Sequence, residues 1–75
     1  MLHQPTRHLA AADQAARILG TFRHVSHVRM DAAAGRAVVV GIRHRLPVEV
    51  GVSLEVAEAM RARGVPATVR RAVAS

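Results

Sequence analysis

Residues 36–42 read RAVVVGI, a run of β-branched residues bounded by turn signals. Such a run predicts a strand. The preceding DAAAG at 31–35 predicts a hairpin connection, because Gly35 suits a left-handed turn position. A second strand over residues 25–31 then pairs with the first, so the centre of the fold is predicted to be a β-hairpin.

A helix is predicted on each side of this hairpin. Residues 8–20 are rich in alanine and predict the first helix. Its buried stripe is predicted from the helical period to contain Leu9, Ala12, Ala16 and Leu19, with Ala15 and Ile18 beside it. Residues 54–63 predict the second helix, which begins after the N-cap Ser53 and ends at Gly64. Its buried face is predicted to be Val56, Ala57 and Met60.

Three segments complete the predicted domain. Pro47 should interrupt strand structure, since proline cannot donate to a ladder. VEVGV at 48–52 is either a short extra strand or an extended link. VPATVRR at 65–71 predicts a final strand, in which the side chains that alternate inward are Val65, Ala67 and Val69. The result is an α+β, two-layer sandwich with two helices on one face of a mainly antiparallel sheet.

Length and composition define one small domain with a thin core. The 75 residues leave no room for a second domain, and we expect a short strand or tail at 1–7, a core at 8–72 and a frayed tail at 73–75. Half of the chain is apolar, but it is mostly Ala and Val, with Phe22 as the single aromatic residue. Small side chains bury little area, which favours self-association. The absence of cysteine excludes disulfides and thiolate metal sites.

The charge is strongly basic, since eleven arginines stand against five acids and give a net charge of +6. This balance indicates either an anionic partner or the codon bias of a GC-rich genome, and both remain open. No apolar run approaches the length of a membrane span, and the N-terminus lacks the apolar core of a signal peptide. We therefore expect a cytoplasmic protein without membrane contact.

Two longer stretches resemble a known family. They are ARILGTFRHVSHVRMDAAAGRAVVVG at 16–41 and SLEVAEAMRARGVPATV at 53–69. Together they resemble the heavy-metal-associated domain of the copper-chaperone type. The matching positions are Val25, Val28, Met30, Asp31, Gly35, Ala37, Val39, Ala59, Met60, Gly64 and Ala67. The resemblance implies a ferredoxin-like βαββαβ fold, whose first strand would come from residues 1–6.

The metal-binding centre of that family is missing. Its CxxC loop falls near HLAA, where His8 stands for the first cysteine and Ala11 for the second. Without thiolates the family's Cu(I) chemistry is not implied. His3 and His8 are an alternative pair for Zn(II), Ni(II) or Cu(II), although two ligands are too few for a closed site. We predict no bound cofactor.

The uncovered sheet face is the predicted place of function. Val38, Val40 and Ile42 share the outward side of their strand, where a solvated strand would be polar. His27 and Arg29 are predicted to join them and complete a partner interface. His24 and His27 lie three residues apart, and on a regular strand such side chains point to opposite faces. The pattern HVSH is therefore interpreted as a strand start, not as a chelating pair.

A second candidate is a basic edge. Arg43, His44 and Arg45 follow one strand, and Arg70 and Arg71 end another, so neighbouring strand ends would form an anion or nucleic-acid site. No nucleophile, base or carboxylate pair has catalytic spacing, and we predict no enzyme activity. The preferred function is a non-enzymatic binding module that acts through its open sheet face, as a homodimer or on a protein partner. Nucleic-acid binding is the alternative, and a histidine-based metal binder is the third.

Overall fold

The structure is a computed structural model that describes the backbone of residues 7–70 and the side chains of residues 11–70. The elements in chain order are α1 (Arg7–Gly20), β1 (His24–Asp31), β2 (Arg36–Arg43), β3 (Leu46–Ser53), α2 (Leu54–Ala62) and β4 (Ala67–Arg70). The sheet order is β3-β2-β1-β4, with β4 parallel to β1 and the other pairs antiparallel. The predicted strand at residues 1–6 and the predicted tail at 73–75 lie outside the described residues.

The two layers are held by one hydrophobic core. It contains Ala11, Ala15, Phe22, Val28, Met30, Ala37, Val39, Val56, Ala57 and Met60. The strand members of this core alternate along β1 and β2, so both helices cover the same face of the sheet. The predicted α+β, ferredoxin-like two-layer sandwich is confirmed. Neither α1 nor α2, the helices of the described part, has the length and apolar character needed to cross a membrane.

The buried stripe of α1 differs from the prediction. Ala11 and Ala15 face the core with Ile18 and Leu19 packed beside them, while Ala12 and Ala16 are exposed. Both sets of alanines satisfy the 3.6-residue period, so periodicity alone could not choose between them. The choice depends on how α1 packs against the rest of the core.

The second helix and the first hairpin agree with the prediction. The Ser53 Oγ accepts a hydrogen bond from the Val56 backbone N–H at 3.1 Å, which caps α2. Val56, Ala57 and Met60 form the buried face of this helix. Gly35, with a φ of 70°, takes the left-handed position in the β1–β2 turn.

One prediction for the later strands is wrong, and one open alternative is decided. Pro47 does not interrupt strand structure but lies in β3 opposite Ile42, and the segment that was left open as a strand or a link is part of this eight-residue strand. Proline is tolerated here because β3 is an edge strand of the described sheet and pairs with a neighbouring strand, β2, on one side only. Val69 lies on the inward side beside Met30, as predicted, but remains 52% exposed, because β4 is the opposite edge of the described sheet.

Candidate functional site on the outer face of the sheet

The side of the sheet opposite the helices is uncovered in the described part of the chain, and we call it the outer face. Strand register and burial assign fourteen residues to it. They are His24, His27, Arg29, Asp31, Arg36, Val38, Val40, Ile42, Pro47, Glu49, Gly51, Ser53, Thr68 and Arg70. Charged residues stand on both sides of β2, which contributes the central apolar residues.

An apolar stripe runs along the middle of the outer face. It consists of Val38, Val40 and Ile42, and Ile42 is 39% exposed. His27 and Arg29 lie on the neighbouring β1 and border this stripe. All five residues predicted for a partner interface thus share one surface.

A β-bulge changes the arrangement of the two histidines in β1. Val25 pairs with Gly41 and His27 pairs with Val40, so Ser26 is an extra residue in the strand. His24, opposite Ile42, and His27 therefore both lie on the outer face. The prediction that they point to opposite faces is wrong, because the two-residue period of a strand is broken at a bulge.

The histidine pair nevertheless lacks the partners of a metal or catalytic site. Ser26 Oγ and His27 Nδ1 lie 2.9 Å apart, and no carboxylate of the described residues hydrogen-bonds to His27. Within residues 11–70, no group of three or more His, Cys, Asp or Glu side chains is arranged to hold a metal ion. The side chains of His3 and His8 lie outside the described residues, so their pairing stays a prediction.

Arg43, predicted as an anion ligand, faces the helices instead. Its guanidinium lies 4.9 Å from the centroid of the Phe22 ring, and its Nη2 donates a hydrogen bond of 2.8 Å to Thr21 Oγ1. The side chain closes the core at the end of β2, with its Nε buried. The cation–π contact with Phe22 therefore gives Arg43 a structural role.

His44 and Arg45 form the connection between β2 and β3. Arg43 pairs with Leu46, which leaves a two-residue loop with φ of 53° at His44 and 68° at Arg45. Positive φ at both central residues defines a type I′ turn, which normally uses Asn-Gly. Each β-carbon in this conformation costs about 1–2 kcal/mol relative to glycine.

Replacing this turn by the preferred residues should stabilise the protein. We expect the double variant His44→Asn, Arg45→Gly to raise the free energy of unfolding by about 1–2 kcal/mol. In a domain of this size the melting temperature should rise by about 4–8 °C per kcal/mol. Thermal denaturation, followed by circular dichroism, measures the melting temperatures of the variant and of the wild type. The control His44→Ala, Arg45→Ala removes the same side chains but keeps both β-carbons, and an equal gain in that control would contradict backbone strain as the cause.

The structure separates the two halves of the predicted basic edge. Arg70 lies beside Asp31 and Arg36 at one end of the sheet, whereas Arg43 to Arg45 lie at the other end of β2. The separation along β2 is roughly 23 Å at about 3.3 Å per residue. Arg71 lies outside the described residues. The strand ends of this prediction therefore do not form one edge.

A different arginine cluster forms at the β1–β2 turn, and the sequence did not reveal it. Asp31 pairs with Arg36 on one side and with Arg70 on the other, and Arg29 lies two residues back on the same face. These side chains and Val38 line a cavity of about 230 Å3, which we call the arginine pocket. The predicted hairpin brings Asp31 and Arg36 together, but only the parallel pairing of β4 adds Arg70.

Comparisons with protein-family models, with curated proteins and with solved structures found no match to this chain. The resemblance to the heavy-metal-associated domain stays a prediction based on the motifs quoted above. The proposals for function are therefore argued from the outer face, with its apolar stripe and its arginine pocket.

Proposed function

We propose that this protein is a small non-enzymatic binding module that forms a homodimer through its outer face. The observation that carries the proposal is the apolar stripe of Val38, Val40 and Ile42, which no described element covers. A sheet that is solvated on one face normally presents polar side chains there. A partner surface removes such a stripe from water.

The core is thin, so the monomer has little hydrophobic stabilisation and would gain stability by burying more apolar surface. Among the residues whose side chains the structure describes, four of the ten buried in the core are alanine, and the largest fully buried side chains are Met60, Val28 and Val39. Domains of this size bury only about 60% of the surface that their unfolded chain exposes. Burying the apolar stripe in a dimer would add hydrophobic stabilisation that the monomer lacks.

The charges on the outer face suit a second copy. Arg29 and Glu49 lie on opposite sides of β2, and their side chains already meet at 3.5 Å while each remains at least half exposed. A two-fold axis along β2 would stack β2 on β2 and place β1 of one copy over β3 of the other. Each Arg29 would then lie over Gly51 of the second copy, about 6–7 Å along the strand from its Glu49, which the long arginine side chain can reach.

The available area predicts a weak dimer. With strands about 4.8 Å apart and about 3.3 Å per residue, the outer face offers roughly 400–450 Å2 per copy. The total of roughly 900 Å2 is near the lower limit of specific interfaces, about 1,000 Å2. We therefore expect reversible association in the micromolar range.

A charge in the middle of the stripe should abolish the dimer. We expect Val40→Asp to weaken association by about thirtyfold or more, which corresponds to about 2 kcal/mol, because the interface would bury an unpaired carboxylate at its centre. Sedimentation velocity over a series of protein concentrations measures the change. The wild type should shift from monomer toward dimer as the concentration rises, while the variant stays monomeric.

Val69→Asp is the matched control. It makes the same substitution at a half-exposed valine on the side of the sheet that faces the helices. We expect it to dimerise like the wild type. A wild type that stays monomeric at every concentration would contradict the homodimer and leave the outer face to a different protein. Equal loss of association in both variants would instead place the contact elsewhere.

A further inference from the structure

We infer that the arginine pocket binds a phosphate group. Three arginines, Arg29, Arg36 and Arg70, line this cavity together with a single carboxylate residue, Asp31, at the end of the outer face. Guanidinium groups bind phosphate oxygens through paired charge-assisted hydrogen bonds, and three of them provide more donors than one phosphate can use. The inference does not rest on the proposed dimer.

The donors of the pocket are available. Arg36 and Arg70 form no ion pair with another described residue. Arg29 contacts Glu49 at 3.5 Å, but both side chains are at least half exposed, and such pairs contribute little. A phosphate can therefore draw all three side chains toward it at a small cost.

The size of the cavity defines the class of ligand. Its volume of about 230 Å3 is below the range of about 300–1,000 Å3 that encloses a drug-sized molecule. Apolar residues also line the cavity beside the charged groups, namely Met30, Ala34, Ala37 and Val38, but the enclosed volume is too small to hold more than a small group. The pocket therefore fits a phosphate group with the rest of its molecule outside, as in a phosphomonoester or one phosphodiester of a nucleic-acid backbone.

Asp31 limits the affinity of the pocket and offers a sharp test. Its Oδ1 accepts a hydrogen bond from the Ala34 backbone N–H at 3.1 Å, which holds the β1–β2 turn. The same carboxylate lies between Arg36 and Arg70 and repels a bound anion. Asp31→Asn keeps an oxygen for Ala34 and removes the charge, so the turn survives while the repulsion is lost.

The experiment is a titration of 15N-labelled protein with inorganic phosphate at constant ionic strength. The amides of residues 29–36 and 68–70 should shift. We expect Arg36→Gln and Arg70→Gln each to weaken binding about tenfold, and Asp31→Asn to tighten it about threefold. Arg63→Gln, which removes the same charge from an exposed position after α2, should change binding less than about twofold. Equal weakening by Arg63→Gln, or no gain in Asp31→Asn, would overturn the inference.

A second titration identifies the source of the phosphate. It uses a single-stranded oligonucleotide without terminal phosphates, which presents phosphodiesters alone. If the oligonucleotide binds more tightly than inorganic phosphate, and Arg36→Gln and Arg70→Gln weaken both to the same extent, the ligand is the nucleic-acid backbone. If inorganic phosphate binds and the oligonucleotide does not, the ligand is a phosphomonoester or free phosphate. If neither compound shifts these amides, the inference is refuted.

The pocket and the dimer can fail independently. Val40 does not line the cavity, so Val40→Asp provides a monomeric background in which phosphate binding should persist. Phosphate binding in that variant, without dimerisation of the wild type, would support the pocket and refute the proposed function. Dimerisation of the wild type, with no phosphate binding by the monomeric Val40→Asp variant, would do the reverse.

Discussion

Replacing Gly41 by alanine is expected to lower the free energy of unfolding by about 3 kcal/mol. A β-carbon at Gly41 would lie 2.7 Å from Cδ2 of the Phe22 ring and against the backbone carbonyl oxygen of His24. The ring is held under Arg43, and the carbonyl belongs to the bulged strand β1, so neither can retreat freely. Urea denaturation at low protein concentration measures the loss. It is a large share of the roughly 4–11 kcal/mol expected for a domain of this size.

Gly51→Ala is the matched control for this prediction. Gly51 lies on the outer face of β3, where a β-carbon would meet no atom within 4 Å. Alanine is preferred to glycine in a strand by about 0.5–1 kcal/mol, so this variant should be slightly more stable than the wild type. Equal destabilisation by the two substitutions would show that the close packing of Phe22 against β2 is not the cause.

Replacing Met60 by alanine is expected to cost about 3 kcal/mol or more. Met60 is fully buried, and it belongs to α2, the helix whose buried face packs into the single core. Truncation would remove its contacts and leave a cavity among small neighbours. Because the other core residues are mostly alanine and valine, they cannot extend to fill the space. The shift of the urea midpoint, compared with that of the wild type, gives the cost.

Met60→Leu tests whether volume is the reason. Leucine nearly conserves the volume, and such exchanges usually cost less than about 1.5 kcal/mol. We therefore expect the leucine variant to unfold close to the wild type. If leucine and alanine were equally destabilising, the specific shape of the methionine would matter more than the cavity. A cost below about 1 kcal/mol for the alanine variant would contradict the assignment of Met60 to the centre of the core.

Local sequence patterns predicted most of the helices and strands, because turns, helix caps and strand propensity depend on residues that are close in sequence. The β-branched run at 36–42 and Gly35 predicted the first hairpin, and Ser53 predicted the start of α2. Each of these signals is contained within a few residues. The buried stripe of α1 was missed because alanine occurs on two of its faces, and only one of them packs against α2 and joins the core.

The candidate site was less predictable. The outward side of β2 followed from alternation, so the placement of Val38, Val40 and Ile42 on the outer face was predicted correctly. The bulge at Ser26, which brings His24 beside His27, has no signal in the sequence. The parallel pairing of β4 with β1 also has no signal in the sequence. This pairing places Arg70 near Arg36 and far from Arg43.

The sequence by itself determined the class of the fold, the core faces of α2 and of the hairpin, and the apolar character of one side of β2. These follow from periodicity and capping, which act within one element. Only the tertiary structure decided which alanines of α1 are buried, that Arg43 packs on Phe22, and that Arg29, Arg36 and Arg70 line one cavity with Asp31. Strand order and register bring together residues that are far apart in the chain, and no short-range pattern encodes that choice.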